Sequence, residues 1–134
     1  MVLACHPLHR LAKEKKISAQ QLAGEPFVGF DADLVIRKKI DSFLREHGVE
    51  IKVVMTFDNI EAVKRGVELG SGLAILPGPT IEHELQAGTL AGVPFARQHF
   101  VRPLGIVYRR GRRLHPSTEA FLALLKNGGE RVKS

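Results

Sequence analysis

A chain of 134 residues, 44% hydrophobic and 25% charged, carries enough apolar material for one ordinary core and is not the composition of a disordered polymer. Twenty Lys and Arg against 14 Asp and Glu give a net charge of +6, which permits anionic partners without choosing among them. The single cysteine, Cys5, excludes an internal disulfide and fits a reducing cytoplasm, and no apolar run reaches the length of a membrane span.

In chain order, Val2–Cys5 reads as the tail of a strand, and His6-Pro7-Leu8-His9 forces an extended turn because the residue before proline avoids the helical region. Ser18–Leu22 makes one helical turn, closed by Gly24, and Pro26–Phe30 is a short apolar strand. Asp33 is placed to cap a helix beginning near Leu34. That helix, Leu34–His47, carries apolar residues at 36, 40, 43, 44 and 47 with the histidine included, and Gly48 stops it. Ile51–Thr56 is β-branched and predicts a strand. Asp58 with Glu61 three residues on resembles a capping box, opening a second helix whose buried stripe is Ile60, Val63 and Val67 and which Gly70 ends. Gly72–Pro77 is a short buried strand, and Pro79 sits at the first position of a third helix, Thr80–Ala87, ended by Gly88. Thr89–Phe95 is extended, Arg102–Arg109 predicts a strand, and Pro116 opens a last helix over Ser117–Lys126. Strands alternating with helices predict an α/β class with a largely parallel sheet.

The stretch Phe57-Asp58-Asn59-Ile60-Glu61-Ala62-Val63-Lys64-Arg65-Gly66-Val67-Glu68-Leu69-Gly70-Ser71-Gly72-Leu73-Ala74-Ile75-Leu76-Pro77 resembles the effector-binding domain of LysR-type transcription regulators. So do His6-Pro7-Leu8, Leu22–Phe27, Arg102–Val107, and Leu114-His115-Pro116 followed by Phe121–Leu125. Each phrase alone is weak; five in order and at the right spacing are specific. One departure is His115, where the family more often has serine before the last helix.

The resemblance implies a periplasmic-binding-protein-like fold of two subdomains joined by crossover strands. On that template residues 1–12 are the first crossover strand and turn, 13–95 a complete Rossmann-like second subdomain, and 96–134 the return crossover with the terminal helix of the first. The winged helix-turn-helix and the first part of the effector domain would be lacking, so DNA would be met only through that absent N-terminal domain. It further implies a cytoplasmic, non-enzymatic sensor of a small, anionic metabolite, without cofactor or metal, dimeric and tetrameric when full length. The dimer face it implies is the helix Leu34–His47 and the strand Ile51–Thr56, through Leu34, Ile36, Arg37, Ile40, Ile51 and Val53. Ile106, Phe121, Leu122 and Leu125 would then need cover from strands this chain does not contain, either from a second copy or by a different fold-back of the last helix.

For the ligand, the residues themselves point to Thr56-Phe57-Asp58-Asn59, a turn after a strand and at a helix N-terminus, where free N–H groups and the dipole attract anions. The alternative is that Asp58 only caps its helix and repels an anion there. Gly29-Phe30-Asp31 offers close backbone approach and an aromatic wall, or else an ordinary turn with Phe30 in the core. Pro77, after the next strand, has the same logic. Three rival functions are weaker. A small α/β enzyme acting on an anionic substrate would need a held nucleophile or base, and Asp31 and Asp58 have no evident partner. A metal cluster of Cys5, His6 and His9 lacks ligand spacing. A helix-turn-helix over Asp58–His83 is interrupted by the strand-like Leu73–Leu76.

Overall fold

The computed structural model describes residues 1–96, 100, 105–109, 111 and 113–128. It divides into two compact units, Met1–Pro103 and Leu104–Ser134.

The first unit is built on five strands: β1 (Val2–Cys5), β2 (Pro26–Phe30), β3 (Lys52–Phe57), β4 (Ala74–Leu76) and β5 (Ala91–Pro94). β1 lies between β4 and β5 and runs antiparallel to both, while β2 and β3 pair in parallel. A parallel bridge between Phe27 and Leu73 joins the two groups, with Val28 N–H donating to Leu73 O and Leu73 N–H to Pro26 O, each at 2.8 Å. The order is therefore β3-β2-β4-β1-β5, with β2 to β5 pointing one way and β1 against them. Among the described residues the sheet is thus largely parallel, as expected, with β1 the antiparallel member. β1 is an inner strand, with Leu3, Ala4 and Cys5 fully buried, so residues 1–12 pack with 13–95.

The core is Leu3, Leu11, Ile17, Leu22, Phe27, Val28, Ile40, Val63, Leu73, Ile75, Leu76 and Ile81 with smaller companions. α1 (Val35–Glu46) contributes Ile40, Phe43 and Leu44, matching the predicted stripe. Its N-terminus corrects the expectation for Asp33: the cap position is Leu34, no side chain caps it, and the Leu34 amide is taken by Asp31 O at 3.1 Å. α2 (Ile60–Glu68) is capped by Asn59, whose Oδ1 accepts from Ala62 N–H at 2.9 Å. The cap is therefore one residue beyond the predicted Asp58, and no Asp58–Glu61 box forms. Past β4, a 3₁₀ turn, Gly78–Ile81, precedes α3 (Glu82–Ala87), so the predicted third helix starts as the tighter form. Ala19–Leu22 is likewise 3₁₀, with Ser18 and Gln21 forming its capping box.

Two glycines have a stated task. Gly48 ends α1 with φ +64°. At Gly72 a β-carbon would stand 2.6 Å from Pro26 O, so only glycine admits the bridge between β2 and the segment entering β4.

In the second unit, 105–109 form no strand and are exposed, which corrects the predicted Arg102–Arg109 strand over those residues; 102–104 lie outside the described residues. Ile106, Val107 and Tyr108 supply strand propensity, but a strand also needs a hydrogen-bonding neighbour. α4 (Pro116–Gly128) follows, close to the predicted bounds. His115 manages its start: its carbonyl accepts from Thr118 N–H at 2.8 Å, and its Nδ1 lies 2.7 Å from Ser117 Oγ. Phe121, Leu124 and Leu125 are exposed in the single chain.

Candidate functional site

In an open α/β sheet the loops beyond the strands' carboxyl ends converge on one edge, where ligands sit. Here the ends of β2, β3 and β4 meet at the edge from which α1, α2 and the Gly78 turn depart. Register brings the predicted residues together: Gly29 pairs with Thr56 and Phe30 with Phe57, and Asp31 N–H donates to Phe57 O at 3.0 Å. The turns after β2 and β3 are therefore one continuous surface.

Each residue has a definite place on it. Phe30 is 4% exposed and belongs to the core, so it backs the surface rather than walling an open pocket. Gly29 is buried, and a β-carbon there would meet Arg37 Nη1 at 3.5 Å and Val53 Cγ1 at 3.7 Å. Thr56 and Asp58 are exposed, and Phe57 is half-buried. Asp58 accepts from Asn59 Nδ2 at 2.7 Å. Asn59 rather than Asp58 is the cap, and the Asp58 carboxylate stays beside it on the turn, so an incoming anion still meets that charge. Arg37 Nη1 donates to Phe30 O at 2.8 Å while its Nε holds Asp41 at 2.9 Å. Pro77 is half-buried and its carbonyl accepts from Thr80 twice, from N–H at 3.0 Å and Oγ1 at 2.6 Å.

Among the residues expected at a chain–chain face, Ile40 is 1% exposed and is corrected to a core residue. Its side chain falls on the inward stripe with Phe43 and Leu44, so it has no surface to offer. Leu34, Ile36, Arg37 and Ile51 are partly buried, and Val53 is 37% exposed. Val54 and Met55 are exposed beside it.

Sequence reasoning missed Lys64. This buried ammonium donates to Thr80 O at 3.2 Å and Glu84 Oε1 at 2.8 Å, and lies 2.9 Å from Glu61 Oε1. Burial pulls its pKa down, but the hydrogen bonds and charges of Glu84 and Glu61 reverse this and hold it above the ordinary lysine value. The Lys64 hydrogen bond, outweighing burial, keeps Glu84 below the usual carboxylate range. The signal was present: positions 60, 63, 64 and 67 are one helical face, and a lysine among three apolar residues there is buried and paired.

Hollows among the described residues also lie elsewhere. One of 570 Å³ is at the opposite sheet edge, between Pro7, Leu8, Leu69 and Thr89, and one of 370 Å³ lies beside the end of α1 at Leu44, Val49 and Ile51. A third, 670 Å³, is in the second unit between Arg109, Arg113 and the start of α4. The rival constellations acquire structural roles. Cys5 is in the core, where burial pushes its thiol pKa up to about 11. His6 and His9 each accept a local backbone amide, from Leu8 and Leu11. β4, paired with β1, separates α2 from α3 and removes the helix-turn-helix. No helix among the described residues is long and apolar enough to cross a membrane.

Comparison with known proteins supplies what geometry alone does not. The RuBisCO operon transcriptional regulator of Acidithiobacillus ferrooxidans is 35% identical over 122 residues, 87% of this chain and 38% of that protein. Its counterpart in Allochromatium vinosum is 37% identical over 126 residues, 90% of this chain and 40% of that protein. The chain thus spans about two-fifths of the length of these relatives. Among solved structures, the fold is similar to the Synechocystis CcmR regulatory domain in complex with 2-PG, with TM-score 0.77 and 22% identity over 92% of this chain and 60% of that one. It is also similar to the effector binding domain of QuiR in complex with shikimate, with TM-score 0.75 and 20% identity over 98% and 61%. The LysR substrate binding domain model matches residues 1–130, and the chain belongs to that family.

Proposed function

We propose that this chain is the effector-binding and oligomerisation module of a LysR-type transcription regulator, acting in the cytoplasm. A small anionic metabolite binds at the edge formed by Gly29–Asp31, Thr56–Asn59 and Pro77. It shifts the balance between two arrangements of an oligomer, which it does only by binding one arrangement better. DNA is met through a part of the protein outside the matched region. Chains associate through α1 and β3, using Leu34, Ile36, Arg37, Ile51 and Val53.

The observation that carries the site is the junction of the two strand-end turns, Asp31 N–H to Phe57 O, at the N-terminus of α2. The relatives named for the RuBisCO operon, and the neighbour complexed with 2-PG, make 2-PG the first probe and shikimate the second. Calorimetric titration of the 134-residue chain is expected to show saturable uptake of one of them, weakened by Thr56→Val and Asn59→Ala and unchanged by Thr89→Val at the far edge. Uptake indifferent to the first two substitutions would move the site elsewhere.

A further inference from the structure

A lysine inside an apolar helix face is costly unless all three of its protons are used. Lys64 uses them on three segments: Glu61 in the first turn of α2, Thr80 O in the 3₁₀ turn after β4, and Glu84 in α3. Thr80 in turn gives both its N–H and its hydroxyl to Pro77 O. An unbroken polar path therefore runs from the first turn of α2, beside Asn59, through Lys64 Nζ to Pro77.

We infer that Lys64 is a positioning residue, splicing the turn after β3 to the turn after β4 so that both are held at the spacing a ligand on this edge must meet. The inference rests on the site proposed above, while the splice itself is observable without any ligand. A cation serving packing alone would be replaced by a well-shaped apolar side chain at no loss. Two features argue for more. Thr80 lies in a segment with no other polar tie to α2 among the described residues, and the further tie on the α3 side, Thr89 Oγ1 to Glu68 Oε1 at 2.7 Å, sits at the opposite end of α2. And Glu84 leaves Oε2 buried without a protein partner, so its carboxylate is placed for Lys64 rather than for its own solvation. Without Lys64 that carboxylate loses its buried partner, and the α3 end of the path is released with it.

The test is amide hydrogen exchange on the 134-residue chain, comparing Lys64→Met, Lys64→Arg and Glu84→Gln with the exposed Lys15→Ala as the control, alongside titration with 2-PG. Lys64→Met and Glu84→Gln are expected to speed exchange at Ala62–Val63 and at Thr80–Ile81 together, and to weaken 2-PG on the order of tenfold, with partial recovery in Lys64→Arg. Should Lys64→Met prove too unstable to measure, Glu84→Gln, which takes the charged acceptor in α3 away from Lys64, decides. Exchange that rises evenly over the whole unit, or in α2 without the Thr80 turn, would overturn the splice. Equal 2-PG affinity across all variants would overturn its role in binding. If the unaltered chain takes up neither 2-PG nor shikimate, the ligand role falls with the proposed function, and exchange at the two turns still decides the splice.

Discussion

β2 and β3 are neighbours of similar composition, Pro-Phe-Val-Gly-Phe and Lys-Val-Val-Met-Thr-Phe, hydrogen-bonded in parallel. Yet β2 is buried from Phe27 to Phe30, and β3 is exposed along its length apart from a half-buried Phe57. The difference is position. β2 has β3 on one side, the Leu73 bridge on the other, and α2 pressed so closely that a β-carbon on Gly66 would meet Val28 Cγ1 at 3.0 Å. β3 is the end of the described sheet. Apolar content makes a strand; the number of its neighbours decides whether that strand is core or interface. An edge bearing Val53, Val54 and Met55 is the kind of surface a second chain covers, which is why it enters the proposed association.

Substitutions can break or sharpen this contrast. Phe27→Ala is expected to lose about 4 kcal/mol, read as a lower urea midpoint at unchanged slope, because the ring is fully packed. A loss below 1 kcal/mol would mean β2 is not the centre it looks to be.

Lys64→Met comes next, at about 3 kcal/mol, since it strands the Glu84 carboxylate. Its pH profile is also fixed in sign. Glu84 is held below its ordinary value of 4.5, so its contribution is present above that pH and lost as pH falls through the folded value. Lys64 is held above its ordinary 10.5, so its contribution is present below that pH and lost as pH rises through the folded value. The stability gap between the unaltered chain and Lys64→Met should therefore stay level across neutral pH and close toward both extremes. A gap that moves between pH 6 and 8 would contradict the pairing.

Gly72→Ala should cost about 2 kcal/mol through the forced retreat from Pro26 O. It sharpens the comparison, because it strikes the bridge that makes β2 central and leaves β3 alone. Smallest of all, Val54→Thr on β3 and Phe121→Asp on α4 are expected within about 0.5 kcal/mol in dilute solution. Their effect should appear instead in sedimentation across a concentration series, as weaker association. Indifference of sedimentation to both would remove these surfaces from any interface.

Much of the molecule was legible in advance. The stripe on α1, the strands Val2–Cys5 and Pro26–Phe30, and the helix opened by Pro116 follow from periodicity, proline and glycine, all of which act within a few residues. The convergence of Phe30–Asp31 with Thr56–Asn59 was also foreseen, because strand ends in such a fold share an edge. What failed were matters of choice between near neighbours: Asp33 and Asp58 were plausible caps, and the backbone path selected Leu34 without a side-chain cap and Asn59 with one. Ile40 was assigned to a surface because the resemblance implies a dimer face along that helix, and the helix as a whole does not say which of its apolar residues turn to the sheet and which to a second chain.

The sequence by itself determined where each helix and strand of the first unit lies, roughly where it stops, and the family it resembles, since these depend on local sterics and on residues in order. Only the tertiary structure decided that β1 runs against its neighbours, that Lys64 is buried and joins three segments, and that β3 is left at the edge. Those outcomes depend on which segments meet, and a contact between residues 64 and 84 is set by the packing of α2, the turn after β4 and α3 against one another rather than by anything within reach of either residue along the chain.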